Sequence, residues 1–560
     1  MENATRLSSG VQAVTDHIDA TRAAPTPVVS GETTRIARDA RSVDLQTEGT
    51  RIRGVLAAQR NQAAEHEIDE RYRVGDKIGG RYEVLAIHRG AMGVVYGAYD
   101  HIEKMPRALK TLQKRHSGNL RMENLFTAEA TTWVKLEKHP FIVRAYLVQK
   151  FDGQPYVITE YVRGQKNMGG DLRAWLGHPR LTLHIAVEMA LQIAQGMQHA
   201  VRKVPGLVHR DLKPANILVD ERARAMVTDF GLVEEEDTGA GTPAYMAPEQ
   251  WRSEPIDTRT DIYAYGCILY ELFTGHRMFA ANNEAEWRTF HEMHLPANPI
   301  AINQNLPLEI AEFIFCCIAK QGTRRPSNWD EVVLECARWF HEITGQPVVF
   351  DYSSDALSTQ ELLSASYSLG ELGKYQDMLE VCDRILTIDP NVSAAWYNKG
   401  NAYLDLDRLK DAIPAFDRAL AIDPNNASTL FNKGNTLCRL DRNEEALAAY
   451  NRALDIDPSQ AFAWDNKGNI LSRLGRNADA ISAYDRALSI DPNFPNAWYN
   501  KGNSLLDLGR LDEAIFCYDH TLAISPVYPG AIENRSLAQA RERNSSSSMF
   551  SRLWGALFGN

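Results

Sequence analysis

Five prolines, Pro390, Pro424, Pro458, Pro492 and Pro526, each follow the previous one by 34 residues. A period held that strictly restricts the C-terminal half of the chain to a stack of near-identical units. Other positions keep the same register. Trp396, Trp464 and Trp498 share one slot, with Leu430 in the second unit. Gly400, Gly434, Gly468 and Gly502 fill another, as do Ala412, Ala446, Ala480 and Ala514, and Phe416, Tyr450, Tyr484 and Tyr518 complete the set. A unit of this length supplies two amphipathic helices, too little to bury its own apolar faces, so neighbours must stack. Glycine and alanine then belong where helices cross closely, aromatics in the gaps, and proline at the exit of the second helix.

This pattern closely resembles the tetratricopeptide repeat over residues 393–528, which implies an all-α superhelical solenoid that binds a peptide or protein partner in its groove. Residues 359–392 keep only the ending Ile388-Asp389-Pro390 and read as a degenerate repeat. Residues 529–544 read as a capping helix, and 343–358 as a linker. Asparagines at 398, 432, 466 and 500 and at 401, 435, 469 and 503 form two ladders. They suit either a grip on a peptide backbone or hydrogen bonds between repeats. Lys399, Lys433, Lys467 and Lys501 recur beside them, with no direction fixed by sequence.

Upstream the character differs. Tyr82–Leu85, Gly93–Tyr99 and Arg107–Leu112 read as strands, followed by a helix over Met122–Leu136 and strands over Phe141–Leu147 and Tyr156–Tyr161. Beyond Leu172 the periodicity is mostly helical to about Phe340. Within this region lies His209-Arg210-Asp211-Leu212-Lys213-Pro214-Ala215-Asn216, and thirteen residues past Asn216 comes Asp229-Phe230-Gly231. These two segments resemble the catalytic loop and the metal-binding triplet of Hanks-type serine/threonine protein kinases. The resemblance implies a two-lobed α+β kinase fold over residues 76–342, ahead of the solenoid.

It also implies roles. Asp211 would orient the attacking hydroxyl and accept its proton, Lys213 would offset charge on the moving phosphoryl group, and Asn216 and Asp229 would hold Mg2+, with Mn2+ as an alternative. Lys110, ending Ala108-Leu109-Lys110, would pair with the ATP phosphates and with Glu129. Gly90, Gly93 and Val95 match the glycine-rich loop, where His88 replaces the first glycine, and Ala108, on the strand of the ATP lysine, is a further nucleotide-binding candidate. Thr159 matches the gatekeeper, and the backbones of Glu160 and Val162 would meet adenine. Asp171 would face ribose or substrate. Gly241-Thr242-Pro243 through Ala247-Pro248-Glu249 resembles the substrate platform, with Thr242 bonded to Asp211 or Lys213, Glu249 paired with Arg325, and Asp261 anchoring the catalytic loop. The acidic run Glu234–Asp237 is a candidate counter-charge for Arg210, and Thr238 a candidate phosphosite.

Transfer of the ATP γ-phosphate to protein serine or threonine is the function expected, with the repeats recruiting substrate or regulator. A pseudokinase scaffold acting through the repeats is the alternative, and small-molecule phosphotransfer a third. A net charge of -11 argues against a general affinity for nucleic acid. The seven cysteines form no CxxC pair and suit a reducing, cytoplasmic setting. Residues 1–75 read as a disordered arm without a signal sequence. No run of apolar residues is long enough to span a bilayer. Residues 545–560 combine a serine-rich spacer with an apolar stripe, Phe550, Leu553, Trp554, Leu557 and Phe558, suited to a partner, the chain itself, or a peripheral membrane contact.

Overall fold

The computed structural model describes residues 71–90, 93–165, 168–230, 242–349 and 357–543. The acidic run 234–237, Thr238, Gly231, Gly241, the arm before residue 71 and the tail after 543 lie outside them. The described chain forms two compact bodies that divide between Val381 and Cys382.

The first body opens with an antiparallel sheet. Its strands are β1 (Lys77–Ile78), β2 (Tyr82–Arg89), β3 (Gly93–Asp100), β4 (Met105–Leu112), β5 (Ala145–Phe151) and β6 (Gln154–Glu160), in the spatial order β1-β2-β3-β4-β6-β5. Helix α1 (Leu120–Lys135) lies between β4 and β5 in sequence, capped by Asn119, whose side chain accepts the Met122 amide. Alternation along β2 to β4 buries Tyr82, Val84, Val94, Tyr96 and Leu109 in one cluster and turns Gly93, Val95, Ala108 and Lys110 to the opposite face. The strand expected over Phe141–Leu147 begins only at Ala145. Phe141, Ile142 and Val143 are instead buried in the larger core, where Ile142 bridges to Val227. A short apolar run looks the same in either setting.

The helical part follows. Helix α2 (Leu183–Lys203) is central, started by the Thr182 cap and ended by Arg202 and Lys203, which complement its C-terminal dipole. A two-stranded ribbon, β7 (Ile217–Val219) and β8 (Ala225–Val227), carries the loops on either side of the site. Helices α3 (Thr258–Thr274), α4 (Glu284–Met293), α5 (Leu308–Cys317) and α6 (Trp329–Thr344) complete the core. α3 and α6 end on Gly275 and Gly345, each at positive φ, the left-handed stop that glycine adopts without strain.

Helices α7 (Thr359–Glu371) and α8 (Tyr375–Ile388) come next, and α7 packs against β5 and α1. β5 is an edge strand, and covering an edge protects its open amides. The Val148 amide donates to Ser368 Oγ at 2.8 Å, and that hydroxyl donates to the Ser364 carbonyl. Glu361 pairs with Arg144, and Asp377 with Lys135 at 2.8 Å. Ser368 is 1% exposed and Val148 fully buried. Ser368→Ala therefore strands a buried amide and is expected to lower the stability of this body by about 1–3 kcal/mol, read from urea unfolding.

The second body is a run of helix pairs: α9 (Ser393–Asp405) with α10 (Leu409–Ile422), α11 (Ala427–Arg439) with α12 (Asn443–Ile456), α13 (Ala461–Arg473) with α14 (Asn477–Ile490), and α15 (Pro495–Asp507) with α16 (Leu511–Ile524). A last helix, α17, spans 531–543. The periodic residues explain each joint. A Cβ on Gly400, Gly434, Gly468 or Gly502 would lie 2.5–2.8 Å from the ring of Phe416, Tyr450, Tyr484 or Tyr518 respectively, so only glycine admits the aromatic. Ala412, Ala446, Ala480 and Ala514 are fully buried. Trp396, Trp464 and Trp498 each donate their indole N–H to the carbonyl of the proline six residues earlier, at 2.9 Å.

The asparagine ladders bond one repeat to the next. Asn432 donates to Asn401, Asn466 to Asn435, Asn500 to Asp465 and Asn534 to Asn503, at 2.8–3.1 Å. Tyr450, Tyr484 and Tyr518 donate to Asn435, Asn469 and Asn503. Of the two readings the sequence allowed, inter-repeat bonding is the one these contacts fit.

One buried carboxylate breaks the pattern. Asp465 stands where Tyr397, Phe431 and Tyr499 stand in the other units, and is 4% exposed. Burial pushes its carboxyl up to about 6, against the opposing hydrogen bonds from Asn500 and Asn469. The folded state thus favours the protonated acid, and stability falls as pH rises from the unfolded value, near 4, through about 6. Asp465→Asn should stabilise the repeats by about 2 kcal/mol at pH 7.5 and by little at pH 4. Urea titrations at both pH values check this.

Candidate active site

A tight cluster forms where the loop after α2 meets the segment before Glu249. Asp211 Oδ1 accepts from the Thr242 hydroxyl at 2.8 Å and from its amide at 3.1 Å. Lys213 Nζ donates to Asp211 Oδ2 at 2.5 Å and to Thr242 Oγ1 at 2.7 Å. Asn216 Nδ2 donates to the Asp211 carbonyl at 2.8 Å and to Oδ2 at 3.2 Å. Both alternatives for Thr242 are therefore present together, and both carboxylate oxygens of Asp211 are fixed by their neighbours. Asp211 and Lys213 keep 31% and 23% of their side chains exposed, open enough to meet a substrate.

Asp261 holds the loop from behind. Its two carboxylate oxygens accept the His209 and Arg210 amides at 2.7 and 2.9 Å. The His209 ring bonds the Thr228 carbonyl at 3.1 Å, tying the loop to the end of β8. Arg210 and Asp229 carry φ of 65° and 59°, a left-handed conformation that costs non-glycine residues free energy and persists only where the surroundings impose it. These bonds supply that constraint.

Across from this cluster stands the second charged group. Lys110 Nζ donates to Glu129 Oε1 at 2.5 Å and to Asp229 Oδ1 at 2.9 Å. Burial alone would lower the lysine's pKa, but the two carboxylates outweigh it and drive it upward. Burial likewise would raise Asp229, and Lys110 holds it below the usual carboxylate range. The sheet thus places an ammonium, the α1 carboxylate and the β8-loop carboxylate at one point. Lys110 pairs across the ladder with Val95, and Ala108 with Gly97. Gly93 lies in the same strand, and a Cβ there would sit 3.0 Å from the Thr111 carbonyl. Gly90 donates its amide to the Gly93 carbonyl, closing the turn, and His88 is exposed opposite Val95.

Thr159 is buried, and its hydroxyl lies 3.2 Å from the Glu160 carbonyl and 3.4 Å from the Ala108 carbonyl. The Glu160 amide is engaged by the Arg144 carbonyl. The Glu160 carboxylate in turn accepts the Arg144 amide at 2.7 Å. Arg144 was not singled out in the sequence, although it also carries the ion pair to Glu361. Val162 is half-buried beside this strand end. Asp171 caps a short turn, and its carboxylate is held by Arg173, so it stands apart from Asp211 and Lys110 in bonding. Glu249 and Arg325 form a two-pronged pair at 2.6 and 2.9 Å.

The protein kinase domain model matches residues 83–340. Tetratricopeptide repeat models match residues 393–426, 415–448 and 495–527, and a TPR repeat model matches 434–475 and 468–509. A probable serine/threonine-protein kinase of Clostridium perfringens is 30% identical over 46% of this chain and 38% of its own length. PrkC of Bacillus subtilis is 30% identical over 45% and 39%, and PknA of Mycobacterium tuberculosis 32% over 45% and 60%. Among solved structures, the Mycobacterium tuberculosis PknI kinase domain is 22% identical, covers 48% of this chain and 99% of that one, and has a TM-score of 0.38. The chain spans less than two thirds of the length of each of the three full-length kinases, those of Clostridium perfringens, Bacillus subtilis and Mycobacterium tuberculosis PknA. It carries a bacterial-type serine/threonine protein kinase domain followed by tetratricopeptide repeats.

Proposed function

We propose that this chain transfers the terminal phosphoryl group of ATP to serine or threonine hydroxyls of proteins, and that its repeats recruit a protein substrate or regulator. The observation that carries this reading is the Asp211–Lys213–Thr242–Asn216 cluster facing the Lys110–Glu129–Asp229 group. Asp211 is oriented to receive the proton of an incoming hydroxyl, and Lys213 lies beside it to offset negative charge. Lys110 would neutralise the ATP phosphates, with Glu129 fixing its position. Gly90, Gly93 and Val95 would cover the phosphates, while Ala108 and the backbones of Glu160 and Val162 would border adenine.

The donor set suits Mg2+. Asn216 directs its Nδ2 to Asp211, which leaves its Oδ1 as an acceptor without a bond among the described residues, and Asp229 offers a second hard oxygen. Bound there, the ion would neutralise phosphate charge. The free, mostly buried thiols suit a reducing compartment, and we place the chain in the cytoplasm. No helix among the described residues is long and apolar enough to cross a membrane.

Incubation with ATP, Mg2+ and casein, followed by mass-spectrometric site mapping, tests the proposal. Phosphoserine and phosphothreonine without phosphotyrosine support it. ATP binding with no transfer on any protein would favour a scaffold instead.

A further inference from the structure

The four lysines that recur every 34 residues are not equivalent. Lys399 pairs with Asp383 at 2.5 Å, Lys433 with Asp417 at 2.6 Å and Lys501 with Asp485 at 2.6 Å, each aspartate lying sixteen residues earlier on the preceding helix. The corresponding partner of Lys467 is Asn451. Lys467 makes no ion pair among the described residues. Its ammonium instead lies 4.7 Å from the centre of the Trp464 ring, where Lys399 and Lys501 stand at 5.5 Å over Trp396 and Trp498.

A surface cavity of about 340 Å³ opens at this unit, bordered by Asn451, Trp464, Lys467, Arg476, Asp479 and Arg486. Arg486 faces the same indole at 5.7 Å. Asn451 Oδ1 is buried and has no hydrogen-bond partner among the described residues. Arg476 is held by Asp479 at 2.7 Å, which leaves Lys467 and Arg486 as the lining cations without a bonded carboxylate among the described residues; Asp455 and Asp479 act on Lys467 only from beyond ion-pair distance. Burial lowers the Lys467 pKa, as expected of an ammonium removed from water without its counter-ion. The other three units show what the position normally holds: one negative charge.

We propose that this cavity binds a phosphomonoester, the group carried by a phosphorylated serine or threonine side chain, between Lys467 and Arg486 with Trp464 as its floor. Two cations match a group of charge near -2, and charge-assisted bonds to phosphoryl oxygens are the strong ones. A phosphomonoester, whose second pKa is about 6, is mostly dianionic at neutral pH, whereas a carboxylate carries a single charge. The site is independent of the phosphotransfer proposal, because it lies wholly within the repeats.

The test follows the Trp464 indole N–H signal of the full-length protein by NMR, assigned through its loss in Trp464→Phe. Inorganic phosphate, O-phosphoserine and acetate are titrated separately at constant ionic strength. Phosphate and O-phosphoserine are expected to give a saturable shift with Kd on the order of 1 mM, and acetate none. Asn451→Asp supplies the missing carboxylate in a geometry that three other units already adopt, so it should fold with unchanged or higher Tm and bind at least tenfold more weakly. Lys467→Gln should lose the same response. No saturable shift, the same titration in Asn451→Asp, or an equal response to acetate would each overturn the proposal.

Discussion

Lys110→Met is expected to lower kcat/KM for ATP-dependent phosphorylation by about 100- to 1,000-fold, most of it in kcat. Methionine keeps the side-chain stem within the sheet and deletes the charge. Glu129, whose side chain is 9% exposed, and Asp229 then face each other without the ammonium that both hold. On the proposed reading the phosphates would lose their fixed cation, while the adenine border proposed at Ala108 and Glu160 would be untouched. ATP affinity should therefore change less than the rate. Initial rates against ATP concentration, with a circular-dichroism check that the fold is intact, separate the two.

The second large effect is structural. The Arg325 side chain is fully buried, and besides its fork on Glu249 it donates to the carbonyls of Ala319 and Arg259 at 2.8 and 2.9 Å. Arg325→Ala leaves the mostly buried Glu249 carboxylate with only the Thr260 hydroxyl and removes the donor from two carbonyls, and should destabilise the kinase body by about 3–5 kcal/mol. Arg325→Lys recovers only part, because an ammonium cannot make the two-pronged contact. The effect has a pH signature. Burial would raise the Glu249 pKa, but Arg325 outweighs it and holds it below the usual value. A carboxylate with a depressed folded pKa contributes stability above its unfolded pKa, near 4.5, and loses it as pH falls through the folded value. The gap between wild type and Arg325→Ala, measured by denaturant unfolding, should narrow below that range.

Much of this was legible because the residues concerned lie in contiguous or strictly spaced segments. Asp211, Lys213 and Asn216 share one loop, so their neighbourhood follows from chain geometry alone. The glycine–aromatic joints of the repeats follow from a period, and the Gly400–Phe416 contact recurs in each unit. What stayed hidden depends on direction and depth. Phe141–Val143 reads as strand because burial in a core looks the same from sequence as burial in a sheet. The asparagines carry one residue type for two roles, and only their mutual distances favour bonding between repeats. Ser368, a polar residue on a helix, gives no sign that it serves an amide on β5. The exchange of aspartate for asparagine at position 451 was readable in principle, by aligning the units and noting the single break in the Lys–Asp register. Its consequence needed the cavity.

The central claim is tested most directly by transfer of labelled phosphate from γ-labelled ATP to protein, wild type against Asp211→Ala. Both should bind ATP. The account predicts label on serine and threonine in the wild type and a loss of roughly 100- to 10,000-fold in the variant. Equal incorporation by both proteins, or none by a wild type that binds ATP, would contradict it.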